Sequence, residues 1–367
     1  MQVMANQTIV IGAGQAGLAA GYWLQQAKIP FQIIEAQASV GGSWPAYYDS
    51  LSLFSPARFS SLPGMAFPAP ADSYPQRDTV VAYLQRYAEH FNLPIQTNTA
   101  ISTIEPQNGG FRLTSSAGQV FHAGQIIAAT GAFARPFMPE LPNQAAFQGK
   151  ILHSARYRDS ADFVGKRVVV VGAGNSAIQI AIELAQVADV TLATRQPIRF
   201  QAQRIAGRDI HWWWWLTGFD RLALNTRVGR WIQQRTQGIV LDTGLYSRKI
   251  NQNQPQRRAM FERFSATGVV WADGQPEAVD IVLFATGYRP HLSYLQGLNA
   301  LDQAGLPLHR AGVSTTVEGL YYVGLEQQTN FASATLRGVG PDASRVVRHI
   351  QVRMQQPAGC CRWAMGQ

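Results

Sequence analysis

An apolar run, a glycine-rich turn and a helix-forming stretch follow one another twice in this chain, and no other feature restricts its fold as much. In the first copy, Thr8 to Ile11 leads into GAGQAG and an Ala-rich stretch through Gln26. Gly12, Gly14 and Gly17 stand at the spacing that gives a tight turn, close backbone approach to a pyrophosphate, and close packing of helix on strand. The free amides of the helix N-terminus then face the phosphates. A second strand, Phe31 to Ile34, ends in Glu35, 18 residues after Gly17, where a carboxylate accepts from ribose hydroxyls. Alone such a turn is weak evidence. Strand, glycines, helix, strand and acid in register make it a dinucleotide site.

The second copy begins at Arg167 to Val171, which reads as a buried parallel strand. GAGNSA follows, with Gly172, Gly174 and Ala177, then an apolar helix through Val187. The next strand, Val190 to Ala193, leads into Thr194 and Arg195, so a cation replaces the acid of the first unit. That exchange favours a 2'-phosphate, hence NADPH over NADH. The other reading is a surface arginine.

Two similar strings, QIIAATGAFARP at 125–136 and DIVLFATGYRP at 280–290, each close an apolar strand with Ala-Thr-Gly. Thr130, Gly131, Thr286 and Gly287 let the backbone pass close to a bound dinucleotide where the chain crosses between domains. The expected fold is α/β, with two Rossmann-like dinucleotide-binding domains in a glutathione-reductase-like arrangement. Residues 1–150 and 287–367 form the FAD-binding domain, and the NADPH-binding domain, 151–286, is inserted between them.

The length of 367 residues fits two domains. Charged residues are 14% and hydrophobic ones 46%, with no tract long enough to span a bilayer. Met1 to Gln7 shows no secretory pattern, and the two cysteines, Cys360 and Cys361, are adjacent, so no disulfide framework exists. A cytoplasmic setting is expected. The net charge of +9 is concentrated between Arg195 and Arg263, where 13 Lys or Arg accompany four Asp or Glu. That run reads as a solvated face, or as a surface for an anionic ligand, a membrane or nucleic acid. Nucleic acid ranks last, since no recognition motif accompanies the charge.

The linker before the second glycine turn is FQGKILHSARY, with Phe147, Gly149, His153 and Tyr157 spaced FxGxxxHxxxY. This resembles the signature of the flavin-containing monooxygenases (class B flavoprotein monooxygenases). Related Baeyer–Villiger enzymes usually carry Trp at the position of Tyr157, which points to the heteroatom-oxidising and YUCCA-like branches. The segment at 48–68 is similar to the YUCCA-like group and to flavoproteins of arsenic-resistance operons.

The resemblance implies FAD and NADPH as cofactors. It also implies a C4a-(hydro)peroxyflavin that oxygenates a small nucleophilic or carbonyl substrate at N, S, As or a keto acid, with dioxygen as co-substrate. By match to the family pattern, Gly12, Gly14, Gly17, Glu35 and the turn Gly41, Gly42, Ser43, Trp44 bind FAD, while Gly172, Gly174, Asn175, Ser176 and Arg195 bind NADPH. No metal is required. Several family members have an Asn beside the flavin where this chain has Phe54; Ser55 or Arg58 would have to supply the missing hydrogen bond. His153 and Tyr157 are expected to orient the interdomain linker.

Two alternatives stay open: an FAD-dependent NADPH oxidase or electron-transferring oxidoreductase without a disulfide centre, and a non-enzymatic NADPH-sensing module. A disulfide reductase would need a redox CxxC or CxxxxC near the flavin, which this chain lacks.

Trp212 to Trp215 are consecutive and cannot share one helix face. Some must point outward, to a substrate channel, a homodimer partner or a membrane surface. Gly319 to Gly324 reads as a last strand. A helix from about Pro341 to Met354 follows, its N-terminus facing the flavin, with Gly338 and Gly340 allowing the approach. Cys360 and Cys361 fall in an expected tail.

Overall fold

The computed structural model describes residues 7–224, 226–236 and 238–355. Cys360, Cys361 and the expected tail lie outside the described residues. The α-helices within them are α1 (Gln15–Gln26), α2 (Arg77–His90), α3 (Asn175–Leu184), α4 (Ile210–Thr217), α5 (Arg227–Thr236), α6 (Leu245–Asn251) and α7 (Leu336–Gln355). None is long and apolar enough to cross a membrane.

Two sheets organise the chain, the second parallel throughout and the first parallel except at one edge, where His309–Arg310 and Val313–Ser314 add antiparallel. In the first, Thr8–Ile11 lies between Phe31–Ile34 and Gln125–Ala128, parallel to both. Leu320–Tyr322 adds in parallel beyond Gln125–Ala128, and Ile95–Gln96 beyond Phe31–Ile34. All four residues of Thr8–Ile11 are buried, as a continuous apolar run requires when both faces of a sheet are covered. Helices α1 and α7 pack on one face through Leu18, Leu24, Val339 and Val346. On the other face, the antiparallel strands between 101 and 123 contribute Ile104, Phe111 and Leu113.

The second sheet has the order Gln256–Ala259, Asp189–Thr194, Arg167–Val171, Ile281–Phe284, Lys150–His153, every pair parallel. Helix α3 covers one face with Ile178, Ile182 and Leu184, and Phe261, Phe264 and Trp271 cover the other. This unit is inserted in sequence between strands of the first sheet. The links on either side of it, Arg135–Pro136 and Tyr288–Arg289, pair antiparallel with each other.

Helix α7 corrects the expectation of a start near Pro341. It begins at Leu336, with Gly338, Gly340 and Pro341 inside it. Proline there lacks an N–H and removes one backbone hydrogen bond in the second turn of the helix, and tertiary contacts outweigh that loss. A Cβ at Gly338 would lie 1.8 Å from the Ala332 carbonyl, so glycine permits the helix to press on that loop. The indole of Trp23 in α1 donates to the Gly340 carbonyl at 2.9 Å.

Candidate functional site

Both glycine turns open at the C-terminal ends of their strands and face one cavity of about 1620 Å³, the place where parallel α/β sheets bind ligands. All the residues singled out from the sequence as site candidates line it except Gly17 and Arg58.

The glycines divide into two kinds. A Cβ at Gly12 (φ +104°) would meet the Ala129 carbonyl oxygen at 2.9 Å, and one at Gly17 would lie 1.8 Å from the Gly12 carbonyl oxygen. The protein itself demands glycine there. Gly14 has an ordinary φ of −78°, and a Cβ on it would meet nothing nearer than the Gly42 Cα at 3.6 Å. The second turn repeats this: a Cβ at Gly172 would lie 2.5 Å from the Ala285 carbonyl oxygen, whereas Gly174 has no atom within 4 Å of such a position. Bare backbone at Gly14 and Gly174 is needed by no neighbouring protein atom. It leaves room in the cavity above the N-termini of α1 and α3, which suits a pyrophosphate at each.

Glu35 is buried at the end of its strand. Its two oxygens accept from the amides of Ala13 at 2.6 Å and Gln37 at 2.9 Å, and each retains a lone pair for a further donor. Gly41, Gly42, Ser43 and Trp44 fold back on this turn: Gly41 donates its amide to the Ala13 carbonyl at 3.1 Å. The Trp44 indole donates to Gln15 at 2.8 Å, and Gln15 in turn donates to the Ala334 carbonyl. The starts of α1 and α7 are thereby tied together.

Asn175 and Ser176 open α3. Arg195, exposed just past its strand, lines the cavity, as do Gln196, Thr236 and Gly238. At the crossings, the Thr130 hydroxyl lies 3.1 Å from that of Tyr294, and Thr286 donates to the Phe137 carbonyl. Gly131 and Gly287 have φ of +77° and +83°, which glycine alone adopts without strain.

His153 braces the second crossing. Its Nδ1 accepts from the Ala155 amide at 3.1 Å, so the ring proton sits on Nε2 and is donated to the Gly287 carbonyl at 3.0 Å. Burial pushes its pKa below the ordinary histidine value, and the ring is neutral. Tyr157 is buried between Tyr48 and Phe163.

Phe54 lines the cavity, 38% exposed, and its ring stacks on that of His211 at 6.1 Å. Ser55 is buried, its hydroxyl 2.9 Å from that of Ser60. Arg58 points elsewhere and pairs with Asp72 at 3.2 Å. Behind Phe54 stands a network that sequence reading did not find. Gln203 donates to the Phe54 carbonyl at 2.6 Å and to Asp209 at 2.9 Å. Asp209 also accepts from Tyr74 at 2.6 Å and from the His211 amide and Nδ1 at 2.8 and 2.7 Å. Burial alone would raise the Asp209 pKa, but these donors outweigh it and hold it below the carboxylate norm. The His211 pKa is lowered, chiefly by burial and further by the Arg337 charge. The one available signal was Asp209 directly before an apolar run, an N-cap pattern; it does cap α4.

Aromatic residues also line the cavity: Tyr288 packs edge-on against Tyr47 and Phe133 at 6.3 and 6.2 Å. Glu326 also reaches it, its pKa raised by burial against the opposing charge of Arg289.

The pyridine nucleotide-disulphide oxidoreductase family model matches residues 9–210. An uncharacterized CzcO-like oxidoreductase of Geobacillus kaustophilus is 35% identical, the match covering 93% of this chain and 97% of its own. Rice indole-3-pyruvate monooxygenase YUCCA1 is 26% identical, over 95% and 92%. The solved structure of a flavin-containing monooxygenase from Stenotrophomonas maltophilia superposes with a TM-score of 0.82 at 33% identity, covering 95% of this chain and 98% of that one.

Proposed function

The chain belongs to the flavin-containing monooxygenases, within the pyridine nucleotide-disulphide oxidoreductases, and on that premise we propose that it passes one atom of dioxygen to a small nucleophilic or carbonyl substrate, at N, S, As or a keto acid, in the cytoplasm. As an enzyme of this family it uses FAD and NADPH. Membership sets aside the non-enzymatic sensor. In this reading residues 1–150 and 287–367 hold FAD, and 151–286 hold NADPH.

The observation that carries the reading is that neither Gly14 nor Gly174 is pressed by a neighbouring backbone and that both line the same cavity. FAD would lie against Gly12, Gly14, Glu35 and the Gly41 to Trp44 turn. NADPH would lie against Gly172, Gly174, Asn175, Ser176 and Arg195, with Arg195 neutralising the extra phosphate. Thr130, Gly131, Thr286 and Gly287 line the crossings between the two. When bound, the flavin supplies two-electron acceptance from NADPH and activation of dioxygen. NADPH provides two electrons; one oxygen atom enters the product and the other leaves as water. The chain's own residues bind and orient the two dinucleotides, and the rings of Phe54, Tyr47 and Tyr288 exclude water from between them.

A second reading, an NADPH oxidase that releases peroxide, is favoured by one feature: Phe54, a cavity-lining residue, has a side chain that offers no hydrogen bond. Stopped-flow mixing of NADPH-reduced enzyme with oxygenated buffer separates the two. A transient near-ultraviolet absorbance, distinct from reduced and oxidised flavin, supports the monooxygenase. Direct return to oxidised flavin with stoichiometric peroxide supports the oxidase.

A further inference from the structure

The lobe between residues 199 and 242 has an uneven distribution of charge. It contains seven arginines and three aspartates. Every arginine is exposed, and Asp209, Asp220 and Asp242 are all buried. Asp209 is held by the network behind Phe54, and Asp220 lies 3.5 Å from Arg337. Asp242 accepts from the amides of Gly244, Tyr246 and Ser247. Folding has therefore withdrawn each negative charge of the lobe from solvent and left the cations outside.

The same lobe exposes large apolar side chains. Ile205, Trp215, Leu216, Val228 and Trp231 are each between 42% and 60% exposed. In α5, Val228, Trp231 and Arg235 fall at i, i+3 and i+7, one stripe of the helix, and the Arg235 guanidinium covers the Trp231 ring at 4.3 Å. In α4, Trp215 and Leu216 face out, and Arg208 covers Trp212 at 4.4 Å. The Trp213 indole donates to the Ile205 carbonyl at 3.0 Å, which joins the turn around Ile205 to α4.

We propose that this lobe docks on an anionic lipid surface. Headgroup phosphates answer the arginines, and the acyl boundary beneath them takes the indoles and aliphatic chains, the layering that suits Trp and Arg together. A second copy of the chain meets half of this requirement only, because a two-fold contact through the patch would set arginines against arginines. Nucleic acid supplies negative charge but no apolar layer for Leu216 and Val228. With no spanning helix among the described residues, the contact is peripheral. The lobe's inner side braces the cavity, through Gln203 on Phe54 and Phe219 stacked on Phe331 at 5.1 Å. Docking therefore brings that wall of the cavity toward the bilayer. The inference stands on the surface alone and does not depend on the reaction proposed above.

The test is co-sedimentation of the purified full chain at low salt with phosphatidylglycerol vesicles and with phosphatidylcholine vesicles, together with tryptophan emission. Binding to the anionic vesicles alone, with a blue shift, is expected. Replacing Arg227, Arg230 and Arg235 by Gln should weaken it on the order of tenfold or more; Trp215→Ser with Trp231→Ser should do the same while leaving the unfolding midpoint unchanged. Where a variant loses its fold, quenching of the wild-type indoles by brominated lipid decides, and its absence overturns the proposal. Equal sedimentation with both vesicles, or with neither, also overturns it. So does a patch-dependent dimer in light scattering, or tighter patch-dependent binding to duplex DNA than to the vesicles at the same salt.

Discussion

Gln203 and Phe54 are 149 positions apart in sequence, yet the Gln203 amide nitrogen lies 2.6 Å from the Phe54 carbonyl oxygen and donates to it. One belongs to the unit that carries the second glycine turn, the other to the wall beside the first. The same nitrogen also serves Asp209, so the position of Phe54 depends on a buried carboxylate across the interface.

Gln203→Leu should therefore cost about 1–3 kcal/mol, because it strips a donor from Asp209 and from a backbone carbonyl at once. Denaturant unfolding measures the loss. An unchanged midpoint would mean that the network does not brace Phe54.

Gly14→Val and Gly17→Val should behave differently. At Gly14 the protein leaves room, so the fold survives and bound flavin is lost. At Gly17 the new Cβ strikes the Gly12 carbonyl, and the chain should fail to fold. Flavin content after purification and circular dichroism distinguish the cases; a Gly14 variant that retains its full flavin would show the first turn to be misassigned.

Arg195→Ala should raise the KM for NADPH by roughly ten- to a hundredfold, the worth of one or two charge-assisted hydrogen bonds, and leave NADH unchanged. Steady-state kinetics with both nucleotides give the answer. Equal losses would remove Arg195 from the phosphate site.

Phe54→Asn places a hydrogen-bonding side chain on the cavity wall. The share of NADPH electrons released as peroxide should fall, as read by a peroxide assay against NADPH consumption. A rise would show that the Phe54 ring protects the reaction.

Acid should destabilise the protein through His153 and His211. Burial lowers both pKa values below 6.5, so the unfolded chain binds protons that the folded chain excludes. Their contribution is complete above the unfolded value and is lost as pH falls from there toward the folded values. The unfolding midpoint should drop as pH falls through the ordinary histidine value of 6.5, and His211→Asn should flatten part of that slope.

Much of the site was legible because it is local. Gly12, Gly14 and Gly17 fix the first turn within one strand–helix unit, and Gly172 and Gly174 repeat it. Arg58 shows the limit: it lies four residues from Phe54 in sequence, but its ion pair with Asp72 turns it away from the cavity. The start of α7 differs from the expected one because Pro341 is a strong local signal, whereas the Trp23 indole that donates to the Gly340 carbonyl lies 317 positions away in the chain.

The sequence by itself determined the two dinucleotide units, their strand order of acid and cation, and the family, since each rests on residues a few positions apart whose spacing the backbone geometry dictates. Only the tertiary structure decided what stands behind Phe54, which glycines are pressed by a neighbouring backbone and which are left open, and that the three aspartates of the arginine-rich lobe are hidden. Those facts depend on burial and on contacts between distant residues, where packing and desolvation, rather than spacing along the chain, select the partners.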